Sequence, residues 1–239
     1  MSLRPETAVA NAAKAAPRAP ARTHARHRVV RTKVRARYDR EAIHAILDAG
    51  LIAHVGFSTN AQPFVIPMLY ARDGDDLLLH GSIASRLVNA LGAGVPTCLS
   101  MTLVDGLVLA RSHFHHSVNY RSVVAFGIAT LVADADAKVA ALAHFVDAII
   151  PGRSAESRPP DRNELAATHV LRFVIEDASA KVRSGDAKDD SADVSLSYWA
   201  GVVPQRAVYS TPIPSDNVAA NAELPPSVQR LLAGEGARA

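Results

Sequence analysis

The densest chemistry in this chain lies between Asp105 and Gly127. Arg111, Ser112, His113, His115, His116, Ser117, Asn119, Tyr120, Arg121 and Ser122 fall between two apolar runs, 106–110 and 123–128. An apolar run, a dense polar stretch and a second apolar run predict two β-strands with chemistry at their junction. Surface turns draw on Gly, Pro, Asn and Asp. Imidazole and guanidinium donors suit an anionic, planar ligand instead. His113 and His115 are two apart and would share one face of a strand, with His116 on the other. No nearby Cys or paired carboxylate completes a zinc set, so hydrogen bonding fits these histidines better than metal ligation.

A second group is His80-Gly-Ser-Ile-Ala-Ser-Arg86. Here a strand is expected to end, Gly81 to turn the backbone and a helix to begin. The first helical turn has unpaired N–H groups. Ser82 and Ser85 add hydroxyls, and Arg86 adds a fork of charged donors. A phosphate cradle is one reading and plain serine capping is the other. The segment is neither a Walker loop nor a Rossmann glycine fingerprint. Tyr120 could lie against an aromatic ligand while Arg121 and Ser122 donate to its oxygens; a solvated sheet edge would look the same. Trp199 is the single tryptophan. Core or subunit packing is its first reading and ligand stacking its second. No nucleophile elbow, Ser-His-Asp order or carboxylate pair can be placed. Binding chemistry without a side-chain catalyst is the pattern expected where a cofactor carries the reaction.

These groups need a scaffold. Asp39 is a fitting N-cap for a helix that turns Ile43, Ile46 and Leu47 to one face and ends at Gly50. Strands are expected at 51–58, 63–71 and 77–81, separated by Thr-Asn-Ala-Gln and Arg-Asp-Gly-Asp-Asp turns. A short helix then buries Leu87, Val88 and Leu91. Further strands are expected at 95–103, 106–112, 121–132 and 168–176. Asp134 caps an Ala-rich helix that Pro151 stops. Close-spaced strands with few helices predict a mainly β, antiparallel small barrel rather than a doubly wound sheet.

The net charge of +3 hides an asymmetry. Residues 1–37 carry ten Lys/Arg against Glu6 alone, and the remainder is mildly acidic. This basic tail has few large apolar residues and is expected to be disordered. Nucleic-acid contact, a transit peptide or no dedicated partner are conceivable roles, and the last is preferred. The tail shows no apolar segment of a secretory signal. No apolar run approaches the roughly 18 residues of a membrane span. One cysteine, Cys98, allows no intrachain disulfide, which fits a reducing compartment; its apolar neighbours point to inert packing. The organisation expected is therefore a basic tail over 1–37, a folded domain over 38–210 and an irregular Pro-rich tail over 211–239.

Several motifs, in order, are similar to those of a known family. They are His-Gly-Ser-x-x-Ser-Arg at 80–86, Asp-Gly-Leu-Val-Leu-Ala-Arg-Ser at 105–112 and His-His-Ser-Val-Asn-Tyr-Arg-Ser-Val at 115–123. Ser-Ala-Lys-Val-Arg at 179–183 and Trp-Ala-Gly-Val-x-Pro at 199–204 complete the set. They resemble the pyridoxamine 5′-phosphate oxidase-related, FMN-binding split-barrel proteins, in the branch that includes nitroimidazole-resistance proteins. The resemblance implies a six-stranded antiparallel split β-barrel and a homodimer with FMN at the subunit interface. By position it implies that Val65, Ile66, Pro67 and Met68 pass beside the flavin ring. His80, Gly81, Ser82, Ser85 and Arg86 would meet the phosphate and ribityl chain. Arg121 and Ser122 match the place where the oxidases present an Arg-Gln pair to the cofactor, and Tyr120 beside them is a further cofactor-binding candidate. Trp199 is similar to a tryptophan that reaches the flavin across the dimer. His80 is the catalytic candidate, by its likeness to a histidine near the flavin in the nitroimidazole-resistance proteins.

The oxidases' Arg-x-Val-Leu-Leu-Lys strand is replaced by Pro-Phe-Val-Ile-Pro-Met, and their C-terminal Arg-Leu-Ser-Pro is not evident. Pyridoxamine phosphate is therefore not the expected substrate. The function expected is a cytoplasmic FMN oxidoreductase acting on a small acceptor such as a nitro compound or quinone. The rivals are a flavin-storing protein without turnover, the same fold holding haem or a deazaflavin, and a nucleic-acid binder. The last lacks the interleaved aromatic and basic residues of a single-strand platform.

Overall fold

The structure is a computed structural model and describes residues 25–219 and 221–234. One antiparallel sheet dominates it. In chain order the strands are β1 (Ala36–Arg37), β2 (Ile52–Thr59), β3 (Gln62–Leu69), β4 (Ala71–Asp73), β5 (Asp76–Ser82), β6 (Thr97–Leu109), β7 (Ser117–Leu131), β8 (Thr168–Arg183) and β9 (Gly201–Pro204). The order across the sheet is β3-β2-β6-β7-β8-β5-β4, with β1 on β8 and β9 on β6. The six long strands β2, β3, β5, β6, β7 and β8 are the six of the expected split barrel. β3 and β5 approach one another at the split without pairing.

Local signals explain the elements. Asp39 accepts from Ala42 N and opens α1 (Arg40–Ala49), whose Ile43, Ile46 and Leu47 are buried. Asn60 and Ala61 both take positive φ in the β2–β3 hairpin, the backbone that a two-residue primed turn requires. Ser85 caps α2 (Arg86–Gly92) and Asp134 caps α3 (Ala135–Ile149). A capping box of Asp161 and Glu164 opens α4 (Arg162–Ala167). The barrel core gathers Leu47, Val55, Leu79, Leu99, Met101 and Phe173. A smaller cluster of Ala71, Leu78 and Phe145 fills the space under α3. Gly127 sits at a bulge where β7 crosses β8; a Cβ there would collide with the Val174 carbonyl, so the position tolerates no side chain.

Three expectations change. The strands predicted at 95–103 and 106–112 are one, β6, with a register shift between Val104 and Gly106. Gly106 there lets β9 pack closely: an added Cβ would lie 2.9 Å from the Val203 carbonyl. Secondly, the basic tail does not end at residue 37. Residues 1–24 lie outside the described residues, but 25–37 dock on the barrel. Arg26 donates to Asp177 (2.6 Å) and Glu176 (2.7 Å) and lies 5.3 Å from the Phe126 ring centroid. His27 is buried edge-on to Tyr38, and Ala36 and Arg37 pair with Lys181 and Ala180. Thirdly, the C-terminal segment contains α5 (Pro226–Leu232), held where Ser227 N donates to Glu156 at 3.0 Å. Both segments attach through charge and hydrogen bonds, which hydrophobic patterning does not register.

Candidate functional site

β3 is an edge strand, and its residues alternate. Phe64, Ile66 and Met68 pack against the barrel core, whereas Val65 is 67 % exposed and Pro67 faces outward. Pro63 and Pro67 lack an N–H, which an edge tolerates and a central strand does not. Of the expected flavin-side residues, then, Val65 and Pro67 offer side chains to the outside. Ile66 and Met68 support the strand from within.

The turn after β5 comes to the same place. The Arg86 guanidinium lies 5.2 Å from the Phe64 ring centroid, and Phe64 stacks on Phe57 at 5.3 Å. Ser85 Oγ accepts from Val88 N and Ser82 Oγ from Ala84 N, so both hydroxyls serve the turn. Gly81 allows Val88 to approach; a Cβ there would lie 2.8 Å from it. Exposed Ile83 adds apolar surface beside the serines. His80 is set apart. Its ring is half-buried on the α3 side of the sheet, edge-on to Phe145 at 4.4 Å. Burial pushes its pKa down, which keeps the imidazole neutral at neutral pH.

The β7 group lies elsewhere. Ser82 is level with Thr168 and Ser122 with Lys181, at opposite ends of the 16-residue β8. At about 3.3 Å per residue this is roughly 40 Å of strand path. Adjacent strand residues face opposite ways. Arg121 shares the parity of inward Val123, and it pairs with Asp105 at 2.9 Å. Tyr120 and Ser122 share the other face. Sequence reasoning missed Asp105 as the partner of Arg121, although it opens the quoted 105–112 motif.

His113–His115 form a 3-10 turn rather than a continued strand, so the expected alternation of the histidines does not occur. Ser112 caps the turn by accepting from Phe114 N. Arg111 holds Asp189 through its backbone N–H (2.7 Å) and its guanidinium (2.6 Å). His116 Nδ1 accepts from Ala110 N at 2.8 Å, which leaves the ring proton on Nε2. Trp199 is 64 % exposed, and an added Cβ on Gly201 would lie 3.1 Å from its ring. The only tryptophan thus rests on backbone and shows its outer face to solvent, not to the core. The described residues hold no cluster of three or more metal-ligating side chains, and no described helix is long and apolar enough to cross a membrane.

The fold and these motifs agree with comparisons to known proteins. The family profile for pyridoxamine 5′-phosphate oxidase matches residues 39–182. The flavocytochrome Anf3 from Azotobacter vinelandii is 40% identical, with a TM-score of 0.81 over 90% of this chain and 99% of that one. The FAD and heme binding protein from Mycobacterium smegmatis is 38% identical, with a TM-score of 0.79 over 82% of this chain and 97% of that one. A candidate 5-nitroimidazole antibiotic resistance protein from Bacteroides thetaiotaomicron shares the fold at 20% identity and a TM-score of 0.53, over 62% of this chain and 86% of that one. No curated protein matches. By the matched profile and the two relatives near 40% identity, this chain belongs to the pyridoxamine 5′-phosphate oxidase family.

Proposed function

We propose that this chain binds a flavin at a two-fold interface and passes electrons from it to a small acceptor. One observation carries the reading. The turn that opens α2 closes on the free edge strand β3, with Arg86 over Phe64, Ile83 exposed in the turn and Val65 exposed on the strand's other face. An apolar strip next to a guanidinium fits a flat ring that carries a phosphate. Two relatives named for a flavocytochrome and for FAD and haem support it.

In this reading Val65 and Pro67 flank the ring, Arg86 holds the phosphate, and Ser82 and Ser85 shape the turn. α2 is only seven residues long, so the positive charge of Arg86, not the helix, is the main anion contact. Tyr120, Ser122 and Trp199 are remote from this surface along β8 and β9. A two-fold partner would present them to it, as in a self-complementary dimer. When bound, the flavin supplies reversible electron transfer. The protein binds and orients it and excludes water from one face. The motif resemblance favours FMN, and the Mycobacterium smegmatis relative is named for FAD.

The absorption spectrum of the purified full chain tests this reading, followed by nicotinamide oxidation with a nitro compound or a quinone. Flavin bands with acceptor-dependent turnover are expected. Flavin bands without turnover would leave a storage protein, and a colourless protein that takes up no added flavin would refute the reading. A second reading, haem held together with flavin, is favoured by the names of both relatives near 40% identity. An intense Soret band in the same spectrum is its signature.

A further inference from the structure

A cavity of about 560 Å³ opens on the outer face of the sheet, away from the β3 edge. Its lining includes Arg31, Arg35, Lys181, Arg183 and Lys188, and no acidic residue. Among the described residues, none of these five pairs with a carboxylate. Asp189 and Asp190 lie close by, but they are engaged by Arg111 and His115. Arg183 is 8 % exposed. Its guanidinium donates only to neutral oxygens, the Asn119 side chain and the carbonyls of Gly185 and Asp186. A buried cation without a counter-charge is costly unless an anion completes the site. Burial first, then the charge of Arg35, pushes the Arg183 pKa down, as expected for a site short of negative charge.

Three further features mark the cavity. Phe114 lines the mouth and is 88 % exposed, a flat apolar face beside the cations. His116 also lines it, with its Nε2–H free of the Ala110 bond. Thr32, on the wall, takes a left-handed backbone (φ 58, ψ 54), a strained state for a β-branched residue. A porphyrin needs apolar walls on both faces, and here Phe114 is the one large apolar side chain. Several cations and one exposed ring suit phosphates joined to an aromatic base. The volume is in the range of small-molecule sites.

We propose that this cavity binds the adenosine diphosphate half of a dinucleotide, with the phosphates among Arg31, Arg35, Lys181, Arg183 and Lys188 and the base against Phe114. Lys181 pairs with Ser122 and Arg183 with Tyr120, so the cavity shares the outer face of the β7 residues assigned to the flavin. The dinucleotide is either FAD, which rests on the flavin reading above, or a nicotinamide electron donor.

Calorimetric titration of the full chain with ADP tests the site. Arg31 and Lys188 are exposed, so the double variant Arg31→Ala/Lys188→Ala keeps the core intact. ADP should bind the wild type, and its affinity should fall about tenfold or more in the double variant, since each charge-assisted contact is worth that much. Phe114→Ala should weaken ADP while leaving inorganic pyrophosphate unchanged. If FAD is the source, the double variant loses the preference for FAD over FMN while FMN affinity holds. If the donor is the source, NADP⁺ displaces ADP from protein saturated with FAD. ADP binding without any flavin binding would retain the site and refute the flavin reading. No ADP binding to the wild type, or equal binding to wild type and variant, would overturn the proposal.

Discussion

The Arg86 guanidinium lies 5.2 Å from the Phe64 ring centroid, so the turn opening α2 and the edge strand β3 are one surface. Truncating Arg86 removes the cation from that surface and leaves the ring. Arg86→Ala should weaken flavin binding by roughly 1.5–3 kcal/mol, about ten- to a hundredfold in affinity. Fluorescence titration of flavin-free protein measures it. An unchanged dissociation constant would remove Arg86 from the site.

The docked segment 25–37 makes a second prediction. Asp177 is 1 % exposed, and Arg26 is its charged hydrogen-bond partner. His27 Nδ1 stands 3.5 Å from Asp177 Oδ1, and neither atom has a hydrogen bond. Arg26→Ala therefore leaves a buried carboxylate short of a donor and should cost about 1–3 kcal/mol. Adding Asp177→Asn should return part of that loss, because the two residues form one coupled unit. Urea denaturation of the four proteins reads the coupling. Strict additivity would show that Arg26 and Asp177 are not energetically coupled.

Two histidines set a pH dependence. Burial lowers the pKa of His80 from its ordinary 6.5; burial, then the Arg72 charge, lowers that of His44. Below pH 6.5 the unfolded chain takes up protons that the folded chain does not. Stability should therefore be full above 6.5 and fall as the pH drops through the folded values. His80→Phe keeps a ring against Phe145 and should flatten the decline between pH 6.5 and 5.5. Urea midpoints at fixed salt test this, and an unchanged slope would contradict it.

Much of the scaffold was legible because local chemistry set it. Asp39 and Asp134 cap helices as their neighbours predict, Ser85 is the one of two candidate serines, Ser82 and Ser85, that caps α2, and Asn60-Ala61 closes the hairpin. The β6 fusion was not legible, because a register shift next to Gly106 resembles a turn in the sequence. The docking of residues 25–37 was hidden because its anchor, Asp177, is some 150 positions away. The same distance concealed the basic cavity. Arg31 and Arg35 read as a solvated tail, and only the pairing of β1 with β8 brings them to Lys181 and Arg183. Family motifs pointed to Arg86 and Tyr120–Ser122 together, whereas the register of β8 sets them far apart in one chain.

That separation makes assembly the central claim. If Val65, Ser82 and Arg86 of one chain and Tyr120, Ser122 and Trp199 of another complete each site, flavin binds to the dimer and stabilises it by mass action. Sedimentation velocity over a dilution series, detected at the flavin band, measures this most directly. The account predicts that flavin absorbance moves with the dimer at one flavin per chain and is released as the dimer dissociates. A monomer that keeps stoichiometric flavin at low concentration would contradict it.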